Sequence, residues 1–132
     1  MRRLTRILML CAAALTLLVA GCGSGAATPS ASGAPPVGTA GVDLGTPSVH
    51  VAATTQLMFS HMSVTLNVGQ IVEWTNTGSV THTVTFTNYP YLSDPTLAPG
   101  GTCEVKFTKA GTYPNQCTIH PGMTGKLVVT GG

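Results

Sequence analysis

Beyond residue 46 the chain alternates apolar and polar positions in short runs separated by turn residues, and no helical period persists for three turns. The alternation is plainest where Val64, Leu66 and Val68 interleave with Ser63, Thr65 and Asn67, and where Val105 and Phe107 interleave with Glu104 and Lys106. Successive side chains of a strand point to opposite faces, so each run buries one face and wets the other. The pattern predicts strands at 49–53, 63–68, 71–76, 82–87, 103–108, 111–116 and 126–130. Val68-Gly69-Gln70, Asn76-Thr77-Gly78-Ser79, Ala98-Pro99-Gly100-Gly101 and Lys109-Ala110-Gly111 mark the turns, which implies antiparallel strands joined by hairpins. Seven or eight short strands at this spacing predict an all-β sandwich over residues 47–132.

The first 46 residues follow another pattern. Arg2, Arg3 and Arg6 precede an apolar run over 7–20 that ends in small residues, the layout of an export signal over 1–21. The run is short for a membrane span. Val19-Ala20-Gly21-Cys22 is similar to a bacterial lipobox, which implies lipidation at Cys22 and anchorage to the outer, periplasmic face of the cytoplasmic membrane. An ordinary secretory signal cleaved nearby, leaving Cys22 as a free thiol, is the alternative. Residues 22–46 are mostly small residues and Pro, too little apolar area to offset backbone ordering, and are expected to form a flexible tether.

The formal charge of +2 changes meaning once the signal is set aside, because all three Arg lie within it. Lys106, Lys109 and Lys126 then face Asp43, Glu73, Asp94 and Glu104. No basic surface remains to release counterions, and no Gly-rich phosphate loop is visible, so nucleic acid is not an expected partner. The carboxylates are scattered and no activated nucleophile accompanies them, so the chain reads as a non-enzyme. Cys11 leaves with the signal, and the folded part keeps Cys103 and Cys117. Two readings follow: a Cys103–Cys117 disulfide, as an oxidising compartment permits, or Cys103 as a small buried hydrophobe with Cys117 free to ligate.

Cys117-Thr118-Ile119-His120-Pro121-Gly122-Met123 spaces a thiol, an imidazole and a thioether by three residues each. A strand delivers Cys117, Pro121-Gly122 turns the chain, and the next strand carries it away, so one tight loop presents all three to a point. Thiolate, imidazole and a weak thioether, with a second imidazole, form the donor set of mononuclear electron-transfer copper sites. Of the remaining histidines His82 is the best candidate, because it opens a strand directly after a turn. His50 and His61 read as solvated surface groups.

With these residues in view the chain resembles the cupredoxin family, most closely its plastocyanin and amicyanin branch. The similarity runs from about residue 48 to the C-terminus, through Val68-Gly69-Gln70-Ile71-Val72-Glu73-Trp74-Thr75-Asn76-Thr77, Thr81-His82-Thr83-Val84, Pro99-Gly100-Gly101, Phe107-Thr108-Lys109-Ala110-Gly111-Thr112-Tyr113 and the 117–123 loop. The resemblance implies an antiparallel Greek-key sandwich and one type 1 copper. It makes His82, Cys117 and His120 the equatorial ligands and Met123 the axial one. It also implies a monomer that carries single electrons, with donor and acceptor proteins docking briefly near His120. Two positions depart from the family. Thr83 stands where Asn usually ties the two ligand segments, and a Thr hydroxyl could span part of that distance. Ile119 stands where Pro is common, and its backbone N–H is expected to point at the Cys117 sulfur and raise the reduction potential.

Two competing readings use the same chemistry. Met58, His61 and Met62 form a candidate second, soft copper site, which would favour copper buffering or delivery over electron carriage; alternatively they are packing and surface residues. A structural zinc site would use Cys117 and the histidines but has little use for Met123.

Overall fold

The computed structural model describes residues 36–132. The export signal, Cys22 and the first part of the expected tether lie outside the described residues. Nine strands follow in order: β1 Gly38–Gly41, β2 Val49–Ala53, β3 Ser63–Asn67, β4 Ile71–Asn76, β5 His82–Val84, β6 Asp94–Leu97, β7 Thr102–Phe107, β8 Gly111–Gln116 and β9 Thr124–Thr130. The helical content among the described residues is a single 3-10 turn, Pro90–Leu92.

One sheet has the order β1-β7-β4-β2, a second β3-β9-β8, and β5 pairs with β6 at the side. The alternating residues do as the pattern requires: Val64 and Leu66 of β3 are buried while Ser63, Thr65 and Asn67 are exposed. Val51, Val72, Trp74, Val105 and Phe107 of the first sheet meet Leu66, Tyr113, Leu127 and Val129 of the second in one core. Phe107 and Tyr113 join the layers with ring centroids 4.6 Å apart, and Phe86 packs edge-on against both Phe107 and Trp74. Such aromatic pairs add roughly 0.5–1.5 kcal/mol each beyond the area they bury.

The all-β sandwich is as expected, but its connections are not all hairpins. β2 pairs parallel with β4, and β3 pairs parallel with β9. The reason is that β2, β3 and β4 alternate between the two sheets, so the turn at Gly69 (φ 88°) reverses the chain between layers rather than within one. Turn residues mark a reversal without saying which layer receives it.

The tether boundary needs correction. Residues 36–45, inside the span expected to be flexible, belong to the folded domain, since β1 pairs antiparallel with β7 along Gly38↔Phe107 to Gly41↔Glu104. Small residues serve close approach here: a Cβ at Gly38 would sit 2.6 Å from the Lys106 carbonyl oxygen. Val37 is buried, its N–H donates to the Tyr91 hydroxyl (2.9 Å), and its carbonyl accepts from Thr108 N–H (2.9 Å). This segment also covers Glu104, whose carboxylate accepts the Leu44 N–H at 2.7 Å, so a residue on the polar side of the β7 alternation is buried.

β6 is not among the expected strands; it pairs with β5 alone, where Pro95 costs no second ladder. The strand expected over 82–87 ends at Val84. Thr85 then crosses to bridge Gln116 of β8, its N–H and carbonyl bonded to Gln116 at 2.8 and 3.0 Å.

Candidate metal centre

Two segments converge at one end of the sandwich. The first is prepared by Asn76, the last residue of β4, which is buried and saturated. Its Nδ2 donates to the carbonyls of Val80 (2.8 Å) and Leu97 (2.9 Å), and its Oδ1 accepts the Gly78 N–H (2.9 Å). These bonds fold residues 77–81 into a fixed turn, and His82 enters β5 opposite Leu97 with 0% of its surface exposed. The second is the loop between β8 and β9. Cys117 N–H donates to the Met123 carbonyl (2.9 Å), Met123 N–H donates to the His120 carbonyl (3.3 Å), and Gly122 takes φ 84° to close the turn.

The ligand atoms of His82, Cys117 and His120 all lie within 4.8 Å of one another. Cys117 Sγ is 4.0 Å from His82 Nδ1 and 3.4 Å from His120 Nδ1, and the two imidazole centroids are 4.8 Å apart. Met123 is buried, and its backbone bond to Cys117 puts it beside that residue. His82 Nε2 is buried with no hydrogen-bond partner, so Nδ1 is the nitrogen this ring offers to the cluster. Burial, and then the neighbouring His120, push the His82 pKa below its ordinary value of 6.5. Both causes favour the neutral imidazole that a metal needs. Two imidazole nitrogens and a thiolate at these separations, with a buried thioether adjoining, fit a copper ion of the electron-transfer kind.

Thr83, the residue after His82, ties the segments together. Its N–H donates to Cys117 Sγ (3.3 Å), and its hydroxyl accepts the Thr118 N–H (2.8 Å). The hydroxyls of Thr118 and Thr85 lie 3.2 and 3.1 Å from the same oxygen. The expected role of Ile119 is corrected by this geometry: among the described residues the N–H on the Cys117 sulfur belongs to Thr83. Thr118 is drawn to Thr83, and the Ile119 side chain, 51% exposed, faces outward.

Met58, His61 and Met62 lie apart from this cluster, in the loop between β2 and β3. Met58 is 47% and Met62 61% exposed, and His61 Nδ1 lies 3.0 Å from the Ser60 hydroxyl. His50 pairs with Glu73 at 2.9 Å. Cys103 and Cys117 are both free and buried, which removes the disulfide reading. Burial, followed by the Asp94 carboxylate, pushes the Cys103 thiol well above its usual range, so it stays protonated and inert.

A two-layer β sandwich with an imidazole, thiolate and imidazole cluster at one end defines a cupredoxin-type metal protein. The family model described as copper binding proteins, plastocyanin/azurin family, matches residues 47–130. The chain is 38% identical over 78 residues to amicyanin-alpha of Methylorubrum extorquens, covering 56% of this chain and 66% of that one. It is 37% identical over 68 residues to amicyanin of Paracoccus denitrificans, covering 48% and 52%. It is 34% identical over 84 residues to plastocyanin of Scenedesmus fuscus, covering 56% and 86%. The chain thus spans just under two thirds of the length of the first relative and about half of the second. A reduced Cu(I) form of an amicyanin variant superimposes with a TM-score of 0.58 at 27% identity, over 67% of this chain and 87% of that one. An oxidised amicyanin variant gives 0.60 at 26%, over 70% and 92%. The chain belongs to the plastocyanin/azurin family of copper-binding proteins. Its cofactor is a single type 1 copper.

Proposed function

We propose that the protein is a one-electron carrier whose copper is held by His82, Cys117 and His120 with Met123 as the weak axial donor. The observation that carries this reading is the convergence of three soft donors from two distant segments within 4.8 Å. Bound copper supplies a one-electron couple; the chain supplies a cage that resists rearrangement. His82 is fixed by a turn that Asn76 saturates, and Cys117 and Met123 by a loop closed on itself. The Thr83 N–H withdraws charge from the Cys117 thiolate, which favours the reduced state and raises the potential. His120 is only half-buried and sits among exposed Ile119, Pro121 and Gly122, so it is the port for electrons. Donor and acceptor proteins dock there over a small area, as transient redox encounters do.

The lipobox-like Val19-Ala20-Gly21-Cys22 supports a carrier anchored by lipid at the outer face of the cytoplasmic membrane, acting as a monomer. Titration of the purified protein with Cu(II), followed by a spectrum and a voltammogram, tests the carrier reading. One equivalent of copper, an intense visible band and a reversible couple are expected. A colourless protein would favour zinc, and two coppers readily passed to an acceptor would favour delivery. Incorporation of labelled palmitate into the full chain, abolished in Cys22→Ser, tests the anchor.

A further inference from the structure

Met58 and Met62 are thioethers that the copper centre does not use. Both stand in the 54–62 segment, which leaves β2 at the metal-bearing end of the sandwich, where Ala53 lies opposite Asn76. This segment is fastened to both ligand segments. Thr77 N–H donates to the Ala53 carbonyl (2.9 Å), and a Cβ at Gly78 would meet the Thr54 and Thr55 backbone at 3.4 Å, so it lies against the turn before His82. Lys126 N–H, three residues beyond Met123, donates to the Met62 carbonyl (2.9 Å). Of the eight large apolar side chains exposed among the described residues, five belong to these three segments: Leu57, Met58, Met62, Val80 and Ile119. Residues 54–62, 77–81 and 117–123 include no Asp, Glu, Lys or Arg. A protein resting on this face is therefore held by apolar contact rather than by charge. Thioethers suit such a face because they adapt to different shapes. They also react as Leu57, Val80 and Ile119 cannot, since a thioether is oxidised to a sulfoxide.

We propose that Met58 and Met62 are modification sites through which hydrogen peroxide slows the docking of redox partners while the axial Met123 is spared. This rests on the carrier reading above. Peroxide passes one oxygen to the sulfur: the O–O bond breaks, an S–O bond forms, the sulfur gives up two electrons, and water leaves. Copper keeps its oxidation state. Attack follows access, and Met58 and Met62 are 47% and 61% exposed against 1% for Met123. A sulfoxide oxygen is a strong acceptor that holds water, and a partner docking by apolar contact must strip that water without replacing it. The modified protein therefore keeps its copper and its potential but meets its partners less productively.

Electron exchange between the reduced and oxidised copper protein, read from NMR line broadening, tests this without any other partner. Two copies exchange fastest when their His120 ports meet, and so use this face. The oxidised copper protein is treated with hydrogen peroxide, digested and weighed by mass spectrometry. Met58 and Met62 should gain oxygen at least about tenfold faster than Met123. Once both are oxidised, self-exchange should slow by at least about threefold at an unchanged visible band and midpoint, and methionine sulfoxide reductases should restore it. In the double variant Met58→Leu with Met62→Leu, both at exposed positions, peroxide should leave the exchange rate where it stood before treatment. Oxidation of Met123 as fast as the other two, a wild-type exchange rate that peroxide does not change, or equal slowing in the double variant overturns the proposal. A wild-type protein with no reversible couple overturns the carrier reading instead, because the order of thioether oxidation is read from peptide masses whether or not copper cycles.

Discussion

Two loops adjoining the start of β9 carry the same kinds of soft donor and have opposite characters. The 117–123 loop holds Cys117, His120 and Met123, and it closes through two internal backbone bonds and a tie to Thr83. The 57–62 loop holds Met58, His61 and Met62 and is also well tied, through Met58 carbonyl to Thr54, Ser60 N–H to the Ala52 carbonyl, and Met62 carbonyl to Lys126 N–H. Its bonds fix the backbone while leaving both thioethers in water. In the first loop the donors point inward to meet a buried imidazole from another segment. Donor chemistry is thus common to both; what makes a site is a second segment, held at the right separation, that completes the set in a dry place.

The sharpest way to break this comparison is to remove the thiolate. Cys117→Ser should lose the intense visible band with Cu(II) entirely, as absorption titration would show; a surviving band would mean that another residue supplies the sulfur. Loosening the partner segment comes next. Asn76→Ala strands the Val80 and Leu97 carbonyls and the Gly78 N–H, and should cost on the order of 2–4 kcal/mol in denaturant unfolding of the metal-free protein. It should also weaken copper retention, since the 77–81 turn delivers His82.

A smaller effect follows from protonation. The folded-state pKa of His82 lies below 6.5, so above 6.5 both folded and unfolded chains carry it neutral and its contribution is intact. As pH falls from 6.5 toward the lowered folded value, the unfolded chain takes up the proton first and metal-free stability declines. The slope from this group is at most about 1.4 kcal/mol per pH unit. Unfolding of the metal-free protein across that range, against His82→Gln, should show the difference. The smallest expected effect is in the other loop: joint replacement of Met58, His61 and Met62 by Ala should leave copper stoichiometry and potential unchanged. A lost equivalent of copper would make the two loops alike after all.

The strong alternation of β3 and β7 and the spacing of the 117–123 loop were legible because each is local: a face, or a turn, within a few residues. His82 could be picked from the three histidines outside that loop by its place after a turn. β1 was not legible, since Gly and Ala that permit close approach to β7 look the same in sequence as Gly and Ala in a linker. The parallel pairings were hidden for a similar reason, as a reversal signal names no layer. Thr83 was half legible: its hydroxyl was a candidate tie, but its N–H on the sulfur, and the silence of Ile119 there, depend on how β5 lies against the end of β8. Glu104 alternates as a surface residue and is buried only because Leu44, sixty positions away, returns to it.

The pairing of β1 with β7 bears on how the domain can be handled as a separate piece. A protein trimmed to begin at residue 47, where the family match starts, would lose β1 and the Val37 plug. The outer row of amides and carbonyls on β7 would then be bare, an open edge ready to recruit a strand from another molecule. Such a fragment should clump on storage, whereas one beginning at Pro36 keeps β7 covered and leaves only the four-residue β1 at that edge.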